Sequence, residues 1–202
     1  MHLNGLTSNY WKYMKKVFID CGYHLGEGMS KFIEILNIND EWEVHAFEAN
    51  PACEIEKKIS NHPIKIIPHN AAVWIENTKL TFNRHHNSMV GSPTVNSTHE
   101  MDGWGSHVDV LKSNHIYNEQ ITIDAIDFSE FLKQFEGCEV YCKFDIEGSE
   151  YPVLRKMLND ETASIVKALW IEWHLNPEDE TADTQSLLAQ EVSKVIQLHG
   201  WC

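Results

Sequence analysis

Short apolar runs alternate with helix-like spacing along most of this 202-residue chain. Runs rich in valine, isoleucine and phenylalanine predict strands at residues 17–19, 44–47, 64–67, 140–144 and 165–173. Apolar residues three and four positions apart predict helices after Gly28, over residues 50–60, from Asp127, from Ser149 or Glu150, and over residues 184–198. Because several strands are apolar at consecutive positions, both faces of the sheet should be covered. The predicted fold class is α/β, with a doubly wound, mostly parallel sheet.

The remaining segments are less regular. Leucine and tyrosine at helix-like spacing predict a short N-terminal helical segment over residues 1–15, which precedes one domain over residues 16–202. Residues 71–74 and 80–82 predict a strand pair joined by a polar turn. Residues 84–118 show no period and are rich in Asn, Ser, Gly and His. A segment of this length inside a compact domain is usually functional, so we interpret it as a long acceptor loop.

Charge and cysteine content narrow the class of protein. Sixteen Lys and Arg against thirty Asp and Glu give a net charge of −14, which disfavours nucleic acid and anionic membrane surfaces as partners. No apolar run approaches the ~20 residues of a membrane span, and the first residues do not form a secretory signal. The five cysteines are odd in number and lack C-x-x-C spacing. A soluble, cytoplasmic protein is the expectation.

Polar and titratable residues stand where the predicted strands end. In a parallel sheet these positions meet at one edge, where such folds bind ligands. We therefore expect one site built from Asp20, Glu48, Asn70, Asp145, Glu172 and His174.

The turn after the first strand suggests the type of ligand. Its glycines follow G-x-x-x-G-x-G spacing from Gly22 to Gly28, unlike the G-x-G-x-x-G of a dinucleotide pyrophosphate site. Asp20, just before the turn, suits a cationic amine better than a phosphate. Glu48 could accept both hydroxyls of a ribose. Together they indicate a nucleoside cofactor without phosphates, a description that S-adenosyl-L-methionine fits.

Four segments resemble one family. The runs VFIDCGYHLGE at 17–27, HAFEANP at 45–51, NAAV at 70–73 and KFDIEGSE at 143–150 are similar to the FkbM family of S-adenosylmethionine-dependent methyltransferases. The resemblance implies a Rossmann-like fold in which Gly22 and Gly26 line the cofactor and Glu48 holds its ribose. It further implies that Asn70 and Ala71 lie near the adenine and Asp145 near the methyl group. The full set of predicted cofactor-binding residues is Asp20, Gly22, Tyr23, Gly26, Glu48, Asn70, Ala71 and Asp145.

Two departures from the family pattern are visible. Tyr23 and His24 replace the Ala-Asn that is common in the glycine turn. The antiparallel hairpin with which such sheets usually finish is also missing after the last helix. Either residues 71–82 complete the sheet differently, or a partner chain covers its edge in a homo-oligomer.

Methyl transfer to a hydroxyl needs a base or a metal ion besides alignment. Glu172 and His174 alternate, so they point to the same side of their strand. With Asp145 they form the predicted catalytic set, and they could hold Mg²⁺ or Mn²⁺. In the alternatives, His174 acts as a base without metal and Glu172 is a structural acid. Glu150 is expected to stabilise the start of its helix.

The expected function is an S-adenosylmethionine-dependent O-methyltransferase that acts on a small molecule, with a sugar of a glycan as the acceptor. His85, His86 and Trp104 of the long loop are the predicted acceptor-binding residues, because hydroxyl-rich ligands need imidazoles to hydrogen-bond and an aromatic face to pack on. Two alternatives stay open. One is a nicotinamide-dependent oxidoreductase, against which the missing G-x-G-x-x-G argues, and the other is a non-catalytic domain that binds a glycan or a partner.

Overall fold

A computed structural model of the protein describes residues 14–84, 107–108, 119–174 and 182–201. Within those residues the chain forms ten strands and five α-helices. The strands are β1 Lys16–Cys21, β2 Trp42–Phe47, β3 Ile66–His69, β4 Ala72–Trp74, β5 Thr78–Arg84, β6 His107–Val108, β7 Glu119–Asp127, β8 Glu139–Phe144, β9 Val166–Ile171 and β10 Gln197–Gly200. The helices are α1 Met29–Leu36, α2 Ile55–Ile59, α3 Phe128–Leu132, α4 Glu150–Asn159 and α5 Ala182–Val192.

Six strands form the main sheet in the order β10-β9-β8-β1-β2-β3, and every described pair in it is parallel. The strand order reverses direction at β1, which has β2 on one side and β8 on the other. Such a reversal defines a doubly wound sheet and creates a crevice at the carboxyl ends of the central strands. The predicted fold class is therefore confirmed.

Alternate residues of β1 enter two separate cores. Val17 and Ile19 pack into the larger cluster with Phe128 of α3 and Leu154 of α4. Phe18 points to the opposite face and packs with residues of α1 and α2. Because both faces are buried, the central strands carry consecutive apolar residues, as the sequence pattern predicted.

A second, four-stranded sheet has the order β4-β7-β5-β6. The predicted pairing of residues 71–74 with 80–82 is wrong, because β7 lies between β4 and β5 and pairs with both. Ala125 of β7 is opposite Ala72 on one side and Thr78 on the other. Within the segment predicted as a loop, Arg84 ends β5, and residues 107–108 form β6.

The last predicted helix is too long. Helix α5 ends at Val192, and the chain then turns into β10, which pairs in parallel with β9. Ile196 is buried in the larger core, and the backbone of residues 197–200 hydrogen-bonds to β9, so tertiary packing overrides the helical pattern there. Every described pair of strands in the main sheet, including the pair of β10 with β9, is parallel.

The predicted helix over residues 50–60 is interrupted. A short 3₁₀ turn, Pro51–Cys53, comes first, and Glu54 then takes a left-handed conformation with φ of 45° before α2 begins. The start predicted for α3 is confirmed, since Asp127 accepts a hydrogen bond of 3.0 Å from the Glu130 N–H. The start predicted for α4 is confirmed as well, with Ser149 at its N-cap position.

Two predictions concern parts of the chain outside the described residues. They are the N-terminal helix, except for residues 14 and 15, and the acceptor residues His85, His86 and Trp104. Among the helices that the structure describes, none combines the length and apolar character needed to cross a membrane.

Candidate active site

A cavity of about 410 Å³ lies at the carboxyl ends of β1, β2, β8 and β9. The second sheet closes one side of it with Ala72, Val73 and Phe82. This volume is within the usual range for small-molecule sites, and the position is where doubly wound sheets bind ligands.

Gly22 brings the first turn into direct contact with the end of β8. Its φ is +84°, and a Cβ atom there would lie 1.8 Å from the carbonyl oxygen of Asp145. The N–H groups of Gly22 and Tyr23 both donate to the Phe47 carbonyl, at 3.0 and 2.9 Å. The Asp145 N–H donates to the Cys21 carbonyl at 3.1 Å. The ends of β1, β2 and β8 are thus bonded together, and only glycine fits at this turn.

Gly26 serves the turn in a different way. Its φ is +86°, and a Cβ atom there would lie 2.5 Å from the Tyr23 hydroxyl oxygen. The Tyr23 side chain is buried and lines the cavity, whereas Gly26 does not. Burial raises the pKa of Tyr23 to about 12, so its phenol is neutral. Gly26 therefore gives Tyr23 room to pack.

Glu48 presents a fixed carboxylate to the cavity. One oxygen accepts the His24 N–H at 2.7 Å, and the other accepts the Asn50 N–H at 2.7 Å. Burial raises the pKa of Glu48, and these two backbone hydrogen bonds partly offset that rise. Each carboxylate oxygen has a further lone pair, so Glu48 can accept additional hydrogen bonds from a ligand.

Lys143 is a buried cation beneath the cavity. Its ammonium group lies 3.3 Å from Asp20 Oδ1 and 3.2 Å from Asp145 Oδ2, and it donates to the Gly22 carbonyl at 2.6 Å. Burial lowers the pKa of Lys143, but the two carboxylates outweigh burial, so the pKa is raised and the side chain remains charged.

His174 lies among carboxylates at the end of β9. Its Nδ1 is 3.0 Å from the fully buried Glu150, which also accepts the N–H groups of Ile146 and Gly148. Its Nε2 is 3.6–3.9 Å from Glu172, Asp145 and Glu147.

This setting changes the charge expected on His174. Burial alone would lower its pKa, but Glu150 first, and then Glu147 and Asp145, raise the pKa to about 9. The ring is therefore an imidazolium at neutral pH. A general base must be neutral, so the predicted base role for His174 does not fit this environment. Glu150 does more than stabilise a helix start, because it also holds the imidazole.

The predicted ligand set for a divalent ion was Asp145, Glu172 and His174. Among the described residues, the group with ligand atoms within 4.8 Å of one another is Asp145, Glu147 and His174. This group contains Glu147 where the predicted ligand set has Glu172. Glu172 lies beside it with a raised pKa, caused first by burial and then by Asp145.

The predicted site residues fall into three groups. Those that line the cavity are Gly22, Tyr23, Glu48, Ala71, Asp145, Glu172 and His174. Those that do not line it are Asp20, Gly26 and Asn70. The Asn70 amide instead donates to Glu56 on the exposed surface at 2.9 Å, and Asp20 pairs with Lys143 behind the cavity. His85, His86 and Trp104 lie outside the described residues.

Sequence reasoning missed several residues that line the cavity, among them Lys143 and Trp201. A lysine inside an otherwise apolar strand was the available signal for Lys143, because lysine is rarely buried without a charged partner. Trp201 follows β10, packs on Phe32 with ring centroids 4.7 Å apart, and has the Lys31 ammonium 4.5 Å from its ring centroid. Its role depends on where β10 runs, which the sequence pattern did not predict.

Carboxylates outnumber cationic side chains in the described lining of the cavity. They belong to Glu27, Glu48, Asp145, Glu147 and Glu172. A pyrophosphate would be repelled here, whereas the charge of the lining suits a cationic or neutral ligand. The fold and the cavity together define a doubly wound α/β protein with an acidic ligand site at the switch point of its sheet.

Comparison with known families agrees with this class. A sequence model described as the Methyltransferase FkbM domain matches residues 20–198. The chain belongs to this methyltransferase family.

Comparison with solved structures finds a methyltransferase FkbM from Methylobacillus flagellatus KT. It has 13% sequence identity and a TM-score of 0.45, and the match covers 90% of this chain. The chain spans 38% of the length of that protein. No curated protein matches this chain.

Proposed function

We propose that this protein is an S-adenosylmethionine-dependent O-methyltransferase whose acceptor is a hydroxyl of a small molecule, a sugar of a glycan. The observation that carries the proposal is the carboxylate-lined cavity beside the Gly22 turn, in a chain of a methyltransferase family. S-adenosylmethionine supplies a methyl group on a positively charged sulfonium and also carries an amine. A negative cavity with no place for a pyrophosphate suits that charge.

The cofactor end is assigned to the side of the cavity near β1 and β2. Glu48, held by two backbone N–H groups, would accept the ribose hydroxyls. The apolar wall beside it would cover the adenine, and its residues are Phe47, Ala71, Ala72, Val73 and Phe82. Asn70 contributes only through the backbone next to Ala71, because its side chain is bonded to Glu56.

The acceptor end is assigned to the side near β8 and β9. Glu172 lines the cavity, is 39% exposed and has a raised pKa, so it is the carboxylate that we assign to receive the hydroxyl proton. His174 keeps the neighbouring carboxylates in place as their counter-ion. Asp145 lies between the two ends, 3.2 Å from Lys143 and 3.9 Å from His174.

A second version of the proposal adds Mg²⁺ or Mn²⁺ at Asp145, Glu147 and His174, since their ligand atoms lie close together. In the version without metal, which we adopt as the simpler one, the His174 imidazolium supplies the positive charge at this point. Chelation separates the two versions. Full turnover in excess chelator is expected, whereas a loss that Mg²⁺ or Mn²⁺ reverses would establish the metal version.

The acceptor residues proposed from the sequence remain His85, His86 and Trp104. The cavity supports a neutral acceptor, because its carboxylates would repel a phosphorylated or carboxylated sugar. The same carboxylates argue against a nicotinamide dinucleotide and hence against the oxidoreductase alternative. A homo-oligomer formed through an open edge of the main sheet stays part of the proposal, to be tested by the mass of the protein in solution.

Transfer of an isotopically labelled methyl group tests the proposed function. The protein would be incubated with labelled S-adenosylmethionine and a panel of neutral, phosphorylated and amino sugars, and the products analysed for methyl ethers. Label in a methyl ether of a neutral sugar is the expected result. Label on an amine would contradict O-methylation, and binding of a glycan without any transfer would favour the non-catalytic alternative.

A further inference from the structure

Lys143 joins two parts of the cavity that belong to different strands. It extends from β8, donates to the Gly22 carbonyl in the turn after β1, and lies 3.2 Å from Asp145 Oδ2. The other carboxylate oxygen of Asp145, Oδ1, faces His174 Nε2 at 3.9 Å. Charges thus alternate across the carboxyl edge of the sheet in the order Asp20, Lys143, Asp145, His174 and Glu150.

We propose that Lys143 is a positioning residue, which fixes the glycine turn at the cofactor end and orients Asp145 toward the acceptor end. This inference rests on the proposed function, which assigns one end of the cavity to the cofactor and the other end to the acceptor. The contacts of Lys143 with Gly22 and Asp145 do not depend on that assignment.

Geometry distinguishes this role from simple neutralisation of Asp20. If Lys143 only compensated a buried carboxylate, an ion pair with Asp20 would be sufficient. Instead its shortest contact, 2.6 Å, is with the Gly22 carbonyl, and its distance to Asp145 is as short as that to Asp20. The Gly22 turn is packed against the Asp145 backbone, so a shift of either residue would move the other.

The Lys143 side chain is also close enough to the cavity to affect the binding of a ligand. Lys143 is 4% exposed yet lines the cavity, and the Trp201 ring centroid is 5.9 Å from its ammonium group. Buried lysines are rare unless paired, and loss of one partner of a buried pair is strongly destabilising. A single Lys143 substitution would therefore combine unfolding with any functional loss, and the test must separate them.

A double-mutant cycle provides that separation. Lys143→Met leaves Asp20 buried without its cation and should lower the Tm strongly. Asp20→Asn combined with Lys143→Met removes both charges and should recover most of the Tm. A role limited to neutralising Asp20 predicts that this double variant behaves like wild type in every other respect.

If Lys143 is a positioning residue, the double variant should differ from wild type in two measurements on the full chain. Amide hydrogen exchange in residues 22–26 should be at least about tenfold faster in the double variant than in wild type. The reason is that the turn loses the hydrogen bond that Lys143 of β8 donates to the Gly22 carbonyl. Affinity for S-adenosylmethionine, measured calorimetrically, should fall by about tenfold. Wild-type exchange in the turn of a double variant with recovered Tm would overturn the inference.

The two measurements distinguish a failure of the proposed function from a failure of this inference. If the wild-type protein does not bind S-adenosylmethionine, the proposed function is wrong, while the exchange of the turn amides still decides the role of Lys143. If the double variant does not fold, Asp20→Asn with Lys143→Leu replaces it, since leucine also fills the buried position without a donor for the Gly22 carbonyl. The same two outcomes then support or overturn the inference.

Discussion

The Glu48 carboxylate accepts a hydrogen bond of 2.7 Å from the backbone N–H of His24. This bond ties the end of β2 to the glycine turn after β1. His24 has a φ of 50°, which is uncommon for a residue with a side chain, so the turn is held in a specific conformation. The side chain proposed to bind the ribose also shapes the glycine turn that is proposed to line the cofactor.

Glu48→Ala should weaken S-adenosylmethionine binding. Loss of a charged hydrogen-bond acceptor costs ~1.5–3 kcal/mol, which is about ten- to a hundredfold in Kd. Calorimetric titration of the variant measures this change. Glu191→Ala, at an exposed position of α5, is the matched control and should bind like wild type. Unchanged affinity in a folded Glu48→Ala protein would remove the ribose assignment.

Gly22→Ala should damage the site far more than Gly137→Ala. Both glycines have positive φ, +84° and +79°, so both substitutions incur a similar backbone strain of roughly 1–2 kcal/mol. A Cβ atom at Gly22 would also collide with the Asp145 carbonyl, whereas at Gly137 nothing lies within 4 Å. Thermal unfolding and cofactor titration of the two variants check this. Equal loss in both would show that the contact with Asp145 is unimportant.

Glu172→Gln should lower kcat while cofactor affinity stays within about twofold. A positioned general base contributes ~10²–10⁴-fold to a rate, so a loss in that range is the expected result. Glu191→Gln serves as the exposed control. If Glu172→Gln keeps the wild-type rate, another group receives the proton and our assignment of Glu172 is wrong.

The stability of the protein should fall on mild acidification because of His69. Burial, and then the neighbouring His45, lower the pKa of His69 to about 4, whereas an unfolded histidine titrates near ~6.5. The contribution of neutral His69 to the free energy of unfolding is therefore fully present above pH ~6.5. It is lost as the pH falls toward about 4, because the histidine of the unfolded chain takes up its proton first.

Thermal unfolding at a series of pH values tests this expectation. His69→Gln cannot take up that proton, and its amide can still hydrogen-bond to His45, whose Nδ1 is 2.8 Å from His69 in the wild type. The Tm of the variant should fall less between pH 7 and 4 than that of the wild type. Parallel curves for the two proteins would contradict the assignment.

The sequence predicted the central features of the fold because the strands of a doubly covered sheet are continuous apolar runs. The sequence also predicted that Glu48, Asp145, Glu172 and His174 lie at one edge of the sheet, because the carboxyl ends of parallel strands meet there. All four line the cavity. Errors occurred where tertiary contacts outweigh local pattern. Strand β10 follows a helical pattern but is held by its hydrogen bonds to β9.

The direction in which a side chain at a strand end points could not be predicted from the sequence either. Asn70 and Asp20 stand at strand ends like Glu48, but Asn70 turns to Glu56 at the surface and Asp20 turns to Lys143 in the interior. The protonation of His174 depends on the buried Glu150, which the sequence placed at a helix start without indicating its contact with the imidazole. Such contacts join residues from different strands and loops, so no local spacing indicates them.

The central claim is that the acidic cavity binds S-adenosylmethionine, and calorimetric titration of the purified protein tests it most directly. The protein would be titrated in parallel with S-adenosylmethionine, its demethylated product and NAD, with Glu48→Ala as the control for the site. We expect saturable binding of the first two ligands, weakened in Glu48→Ala, and no binding of NAD. Binding of NAD without binding of S-adenosylmethionine would contradict the account.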